Sequence, residues 1–249
     1  MKVSIITVSY NSAETIKDSI ESVLNQTYKN IEHIIIDGNS TDGTIEIIKS
    51  YGNKIHKFIS EPDNGIYDAM NKGINLASGN IIGILNSDDF YFDNHIIAKV
   101  MNEFRTQDVD SVFGDLIYID KNNTDNIIRY WKSQQYKKNL FQNGWHPAHP
   151  TFFVKREIYI KYGNFNLDFK IASDYELMLR FLEKHKITSS YIPEILVKMR
   201  TGGESNRIQN IFQANIESYK AWKINNLKIN PIVFLKKPLS KILQYFKRG

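Results

Sequence analysis

The 249-residue chain has no cysteine, which excludes disulfides, thiolate metal sites and cysteine nucleophiles. It has no run approaching the roughly 20 consecutive apolar residues that a membrane-spanning helix needs. Neither a G-x-x-x-x-G-K-[ST] nor a G-x-G-x-x-G phosphate loop is present, so any phosphate must be held another way. No internal repeat and no linker interrupts the chain. The opening Met1-Lys2-Val3-Ser4-Ile5-Ile6-Thr7 lacks the longer apolar core and cleavage site of a signal peptide and reads as a strand. Together these absences lead to the expectation of a soluble cytoplasmic protein.

What is there is ordinary globular material: 42% apolar, 24% charged and 12% aromatic residues, enough for a substantial core. Basic residues outnumber acidic ones by 32 to 27, a net +5 that favours an anionic partner. The excess is local. From Leu227 onward come Lys228, Lys236, Lys237, Lys241, Lys247 and Arg248 without one acid, and the near-neutral remainder argues against a nucleic-acid-binding face. In this tail Leu235, Leu239, Ile242, Leu243 and Phe246 recur at helical spacing opposite the cations. A basic amphipathic helix of this kind suits an anionic membrane surface, or docks on its own domain.

The first half alternates strands and helices. Val3–Tyr10, Ile31–Asp37, Ile55–Ser60 and Ile81–Asn86 read as strands, the first a β-branched run covered on both faces. Helices are expected from Ile16, where Asn11 and Glu14 resemble a capping box, from Thr44, and over Ile66–Ala77. This alternation means a parallel α/β sheet. Afterwards Ser111–Asp120 and Ile127–Trp131 form a hairpin pattern. Helices follow at Arg156–Tyr162 and Asp174–Lys184, a strand near Tyr191–Arg200, and a long helix over Asn206–Asn226.

In open α/β sheets ligands bind beyond the carboxyl ends of the strands, and those ends are polar here. Strand one ends at Thr7-Val8-Ser9-Tyr10-Asn11, strand two at Asp37-Gly38-Asn39-Ser40-Thr41-Asp42, and strand four at Asn86-Ser87-Asp88-Asp89. Adjacent carboxylates repel, and a divalent cation such as Mg²⁺ or Mn²⁺ relieves the repulsion while keeping substrate phosphates as further ligands. Asp37 suits either a turn or a contact to a base N–H or ribose hydroxyl. Lys72 is placed to reach a diphosphate, or is a solvated helix lysine. In Trp145-His146-Pro147-Ala148-His149-Pro150, Trp145 offers a face for a sugar ring and His149 a contact to diphosphate or metal. The paired glycines of Arg200-Thr201-Gly202-Gly203-Glu204-Ser205 suit a mobile lid, with Arg200 reaching phosphate on closure.

The stretches SIITVSYNSAETIKDSIESVLNQTY, IIIDGNSTDGT, SEPDNGIYDAMNKGINLASGNIIGILNSDD and HPTFFVKREIYIKYGNFNLDFKIASDYELMLR resemble the family 2 glycosyltransferases of the GT-A fold. They are most similar to the subgroup building bacterial O-antigen, capsule and exopolysaccharide. The resemblance covers roughly residues 2–205. It implies a Rossmann-like, mostly parallel central sheet flanked by helices, with a nucleotide-sugar half (1–120), an acceptor half (121–205) and a helical C-terminal appendage (206–249). It implies that Asp37 contacts the nucleotide base in a pocket lined by Thr7 and Ser9, and that Lys72 lies near the nucleotide. Asp88 and Asp89 fall on the DXD-type motif, Asp89 as the more direct ligand of Mn²⁺ or Mg²⁺. Asp174 falls on the general base, although Ser173 replaces the acid that normally precedes it. The implied reaction is inverting transfer of a hexose or N-acetylhexosamine from a nucleotide sugar, a UDP-sugar foremost, to a polyprenyl-diphosphate-linked sugar. The implied location is the inner face of the cell membrane. Two other readings weigh against this one: a sugar nucleotidyltransferase, which needs a glycine-rich basic signature after strand one, and a non-catalytic module that binds anionic polymers.

Overall fold

The parallel half forms as its pattern predicts. β1 (Val3–Ser9), β2 (Ile31–Asp37), β3 (Lys57–Ser60) and β4 (Ile81–Asn86) lie parallel in the order β3-β2-β1-β4. The computed structural model from which this is drawn describes residues 1–202 and 208–229. Successive side chains of a strand point to opposite faces. Ile6, Val8, Ile34 and Ile36 therefore meet one layer, which includes Tyr67, Met70 and Ile74 of α3 (Ile66–Leu76). Ile35 meets the other, with Ile16 and Ile20 of α1 (Ile16–Leu24) and Ile48 of α2 (Thr44–Ser50). Gly73 is what lets α3 lie so close to β1: a Cβ there would sit 2.4 Å from Ile6 Cγ2.

The expected capping box does not form. Asn11 adopts φ +47°, and its Oδ1 accepts the Thr41 N–H at 2.9 Å, so it ties two loops together instead of capping α1. One helix, α4 (Ile96–Thr106), lies outside the expected elements; its Ile96, Ile97, Val100, Met101 and Phe104 are buried.

The second half reverses direction. β8 (Phe153–Lys155) enters between β4 and β6 (Ser111–Ile119), antiparallel to both. β6 runs parallel to β9 (Ser189–Arg200), β5 (Phe90–Tyr91) closes antiparallel on β9, and β7 (Ile127–Trp131) is the hairpin partner of β6. The first four strands are thus wholly parallel, and the rest of the sheet is mixed, with β6 and β9 its one parallel pair among the described residues. Among the described residues, the order β3-β2-β1-β4-β8-β6-β9-β5 holds four parallel and three antiparallel pairings, and β7, off that path, adds a fourth antiparallel one on β6. α5 (Arg156–Tyr162) and α6 (Ser173–Leu179) follow, α6 widening into a π-helical turn over Arg180–Lys184.

α7 (Ile208–Ile224) packs against the domain. Its Ala221 and Trp222 are buried in the same apolar cluster as α3, α5 and α6. Trp222 Nε1 donates to Tyr175 Oη at 2.9 Å, and Asn225 Nδ2 to Glu176 Oε1 at 2.9 Å. A boundary at residue 205 therefore does not separate the C-terminal helix from the domain. The tail helix expected over Leu235–Phe246, and Gly203–Ser205 of the expected lid, lie outside the described residues. Among the described residues no helix is long and apolar enough to cross a membrane.

Candidate functional site

Register brings the polar strand ends together: Ser9 pairs with Asp37, and Val8 with Asn86, so β1, β2 and β4 finish side by side. Asp37 has no exposed surface. Its Oδ1 accepts from the hydroxyls of Ser9 (2.9 Å) and Ser40 (2.5 Å), its Oδ2 from Ser40 N–H (2.9 Å) and the Ser60 hydroxyl (2.8 Å). A carboxylate has about four lone-pair directions, and all are taken. As it stands, Asp37 clamps three strand ends, and a base N–H would have to displace one of these donors. Thr7 is also turned inward: its hydroxyl bonds His33 Nε2 at 3.0 Å, so it does not line the pocket. Burial, with the nearby His56, lowers His33 to about 3 and keeps it neutral. Beside this clamp Tyr10 stands 67% exposed, next to Gly38.

The end of β4 is the opposite case. Asp89 is fully buried, yet its Oδ2 accepts the Asn86 amide only at 3.4 Å, its Oδ1 has no close hydrogen-bond partner among the described residues, and beyond these the Arg200 backbone N–H lends its carboxyl weak support. Asn86 Oδ1 is likewise buried and has no hydrogen-bond partner among the described residues. Burial and the adjacent Asp88 charge push Asp89 well above the usual carboxylate range, and burial also raises Asp88, against the opposing pull of Arg200. Starved acceptors of two neighbouring side chains are what a hard cation or a substrate donor satisfies. The donor set fits Mg²⁺ or Mn²⁺ completed by phosphate oxygens. No cluster of three or more His, Cys, Asp or Glu occurs among the described residues, so the protein alone does not supply a closed cage.

Two expected phosphate contacts are committed elsewhere. Lys72 Nζ pairs with Glu61 (2.9 Å) and Asp68 (3.6 Å) and donates to Pro62 O at 3.2 Å, and the Glu61 bond raises its pKa. Arg200 is buried; it pairs with Asp18 and donates to the Asp88 carbonyl at 2.8 Å, with its guanidinium 4.9 Å from the Phe90 ring centre. It braces the Asp88–Asp89 turn from behind, where a lid arginine would face the ligand. Trp145 packs against Phe113, Tyr136 and Phe141, with centroids 5.9–6.1 Å apart, and is part of the core. His146 bridges Trp131 and Tyr175 edge-on.

Asp174 reaches this end of the sheet through a partner the motifs did not single out. The single hydroxyl hydrogen of Tyr67, at the start of α3, is shared between Ile171 O at 2.8 Å and, more weakly, Asp174 Oδ1 at 3.3 Å. Burial first, then the Asp174 charge, pushes the Tyr67 hydroxyl well above 10, so it remains a donor. Phe165 stacks on Tyr67 at 5.5 Å and meets His149 edge-on at 5.8 Å. Burial lowers His149, against the pull of Asp174, which makes it a neutral ring beside that carboxylate. Asn71 holds the Phe165 backbone through both its N–H and C=O, each at 2.9 Å. Ser173 is fully buried and donates to Asn166 O at 2.8 Å; the residue standing where the family has an acid is a loop fastener.

Comparison with known proteins bears on the family and the fold. Residues 4–163 match the family described as Glycosyl transferase family 2. An uncharacterized glycosyltransferase of Rickettsia typhi is 30% identical, covering 99% of this chain and 80% of its own length. A PGL/p-HBAD biosynthesis glycosyltransferase of Mycobacterium bovis is 26% identical over 82% of this chain and 79% of its own. S. aureus TarS 1-349 in complex with UDP-GlcNAc superposes with a TM-score of 0.71 at 17% identity, over 90% of this chain and 65% of that one. The Pyrobaculum calidifontis mannosyltransferase PcManGT, bound to GDP-Man and Mn²⁺, gives 0.67 at 15% identity, over 100% and 76%. With its fold, its family match and these relatives in agreement, the chain belongs to glycosyl transferase family 2 and is a glycosyltransferase of the GT-A fold.

Proposed function

We propose that the protein transfers a hexose or N-acetylhexosamine from a nucleoside diphosphate sugar, with inversion, to a lipid-diphosphate-linked sugar in surface polysaccharide synthesis. The observation that carries this is the starved Asp89–Asn86 acceptor pair at the sheet end to which Tyr67 also brings Asp174. Asp88 and Asp89 would hold Mn²⁺ or Mg²⁺, which supplies positive charge against the departing diphosphate. Tyr10 offers an exposed aromatic face for the base above the Asp37 clamp, and Ser9 and Asp37 shape the pocket beneath. Tyr67 engages Oδ1 of Asp174 and leaves Oδ2 without a protein donor among the described residues. Oδ2 takes the proton of the acceptor hydroxyl as its oxygen bonds the anomeric carbon. The anomeric carbon–oxygen bond to diphosphate breaks on the opposite side, which inverts the centre. His149, neutral, lines the substrate side of that base and offers a hydrogen bond to the diphosphate.

Membrane contact is supported by one side of α7, where Phe212 (72%) and Ile216 (49%) are exposed near Tyr219, Lys220 and Lys223, and by the basic tail beyond. The UDP-GlcNAc and GDP-Man complexes of the two superposed structures set the donor panel. The experiment measures nucleotide release from UDP-Glc, UDP-Gal, UDP-GlcNAc, UDP-GalNAc and GDP-Man, with Mn²⁺ and with EDTA. Its second arm offers a polyprenyl-diphosphate sugar in anionic or neutral vesicles. Expected are one preferred UDP-sugar, loss of activity in EDTA, and faster transfer on anionic vesicles. A nucleotide transferred intact onto a sugar phosphate would establish the nucleotidyltransferase instead.

A further inference from the structure

Glu217 of α7 is 3% exposed and forms no ion pair among the described residues. Its Oε1 accepts from Lys170 N–H (3.1 Å) and Gln213 Nε2 (3.0 Å), and its Oε2 from Ile171 N–H (2.9 Å) and Ala172 N–H (2.8 Å). Burial opposes the charge, but these hydrogen bonds outweigh it and hold Glu217 below the usual carboxylate range. The three backbone donors are the consecutive residues that lead into Ser173-Asp174. On the other side of the same loop, Tyr67 Oη shares its hydrogen between Ile171 O and, more weakly, Asp174 Oδ1. Residue Ile171 is thus gripped from both sides, by α7 through its N–H and by α3 through its C=O. Three adjacent N–H groups aimed at one buried carboxylate form a charge-assisted collar, stronger and more directional than neutral bonds.

We infer that Glu217 is a positioning residue for the reaction: it fixes residues 170–172 so that Asp174 stands against the Tyr67 hydroxyl and the acceptor. Glu217 itself touches no substrate. The inference rests on the reading of Asp174 as general base. It goes beyond that reading by giving the C-terminal helix, outside the family-matched residues 4–163, a part in the chemistry.

The test compares Glu217→Gln, Asp174→Asn and the double variant in release of UDP from the donor chosen by the panel, with water as acceptor, alongside UDP affinity and melting temperature. Glu217→Gln keeps the side-chain shape but turns an amide N–H₂ toward backbone donors. Expected is a kcat about 10- to 100-fold lower per UDP-binding site, the scale of a misplacement near 1 Å, with UDP affinity within about twofold of wild type. In the double variant the loss should equal that of Asp174→Asn alone, because Glu217 acts through Asp174. A loss that multiplies with that of Asp174→Asn, or a kcat that stays at wild type, overturns the inference. A merely structural role lowers the melting temperature without this non-additivity. If Glu217→Gln does not fold, Glu217→Asp, which keeps the charge but withdraws it by a methylene, carries the same comparison. Full activity in Asp174→Asn removes the base reading itself, whereas activity lost in Asp174→Asn but kept in Glu217→Gln removes only the role of Glu217.

Discussion

Asp37 and Asp89 sit at the carboxyl ends of parallel strands, both without exposed surface, and their environments are opposite. Four internal donors surround Asp37. Asp89 has one long amide contact, weak support from the Arg200 backbone, an unpaired oxygen among the described residues and a second carboxylate next door. A buried charge that the fold satisfies holds the fold together. One that the fold leaves unsatisfied is maintained against a cost of a few kcal/mol, and such a cost persists where a ligand relieves it. The contrast separates scaffold from site more sharply than residue type or strand position does.

The largest expected effect comes from neutralising the starved member. Asp89→Asn should cut turnover at least about 10²–10³-fold, since charge on the leaving diphosphate loses its partner. The same change removes a buried acid that burial and Asp88 already hold in its protonated form, so without metal the variant should melt at or slightly above the wild-type temperature. Mn²⁺ should raise the melting temperature of wild type and leave that of Asp89→Asn unmoved. A variant that is both inactive and less stable would mean that Asp89 is scaffold too.

Asp37→Asn is the counter-experiment. The amide offers one acceptor oxygen where Ser9, Ser40 and Ser60 present four donors, so urea denaturation should show a loss of about 1–3 kcal/mol. In the folded fraction UDP should bind within about tenfold of wild type. A hundredfold loss of UDP affinity in well-folded protein would mean that the clamp opens to receive the base.

How far these roles were legible in the sequence depends on how local their causes are. The parallel half follows from β-branched runs and 3.6-residue spacing, both readable in short windows, and Ile31–Asp37, Ile81–Asn86 and Arg156–Tyr162 fall where the pattern puts them. Asp88 and Asp89 stand out because adjacent carboxylates at a strand end are visible in the sequence, whereas Asp174 is singled out only by the resemblance to the family. The partners are not visible. Tyr67 lies 107 residues from Asp174, and Glu217 lies 46 residues from Ile171, so their roles exist only after folding. The signal for Glu217 is a charge inside the buried stripe Ser218, Ala221, Trp222 and Asn225. Lys72, Arg200 and Trp145 show the same limit in reverse: each has the right chemistry for a ligand, and its engagement by residues of this chain is not visible in the sequence. β8 is three residues long, too short for any periodicity to announce that it turns the sheet antiparallel.

Lys72 provides the smallest and finest test, because it asks whether a satisfied cation behaves like the satisfied Asp37. Its ammonium faces Glu61 and Asp68 and donates to the Pro62 carbonyl, so it fastens the loop before α3 to that helix's second turn. Both ion pairs are partly exposed, and pairs of that kind contribute on the order of 0–1 kcal/mol. Lys72→Ala should therefore lower stability by no more than about 1 kcal/mol. Salt should erase most of even that difference, since screening acts on exposed charge. A free cation at the diphosphate would behave otherwise: removing it would weaken UDP binding by about tenfold or more, as expected for a charge-assisted bond of roughly 1.5–3 kcal/mol. Isothermal titration of UDP with Mn²⁺ into wild type and Lys72→Ala distinguishes the two. Affinities within about threefold place Lys72 with Asp37 in the scaffold. A tenfold loss would mean that nucleotide draws Lys72 away from Glu61, and that the phosphate contact exists only in the bound protein.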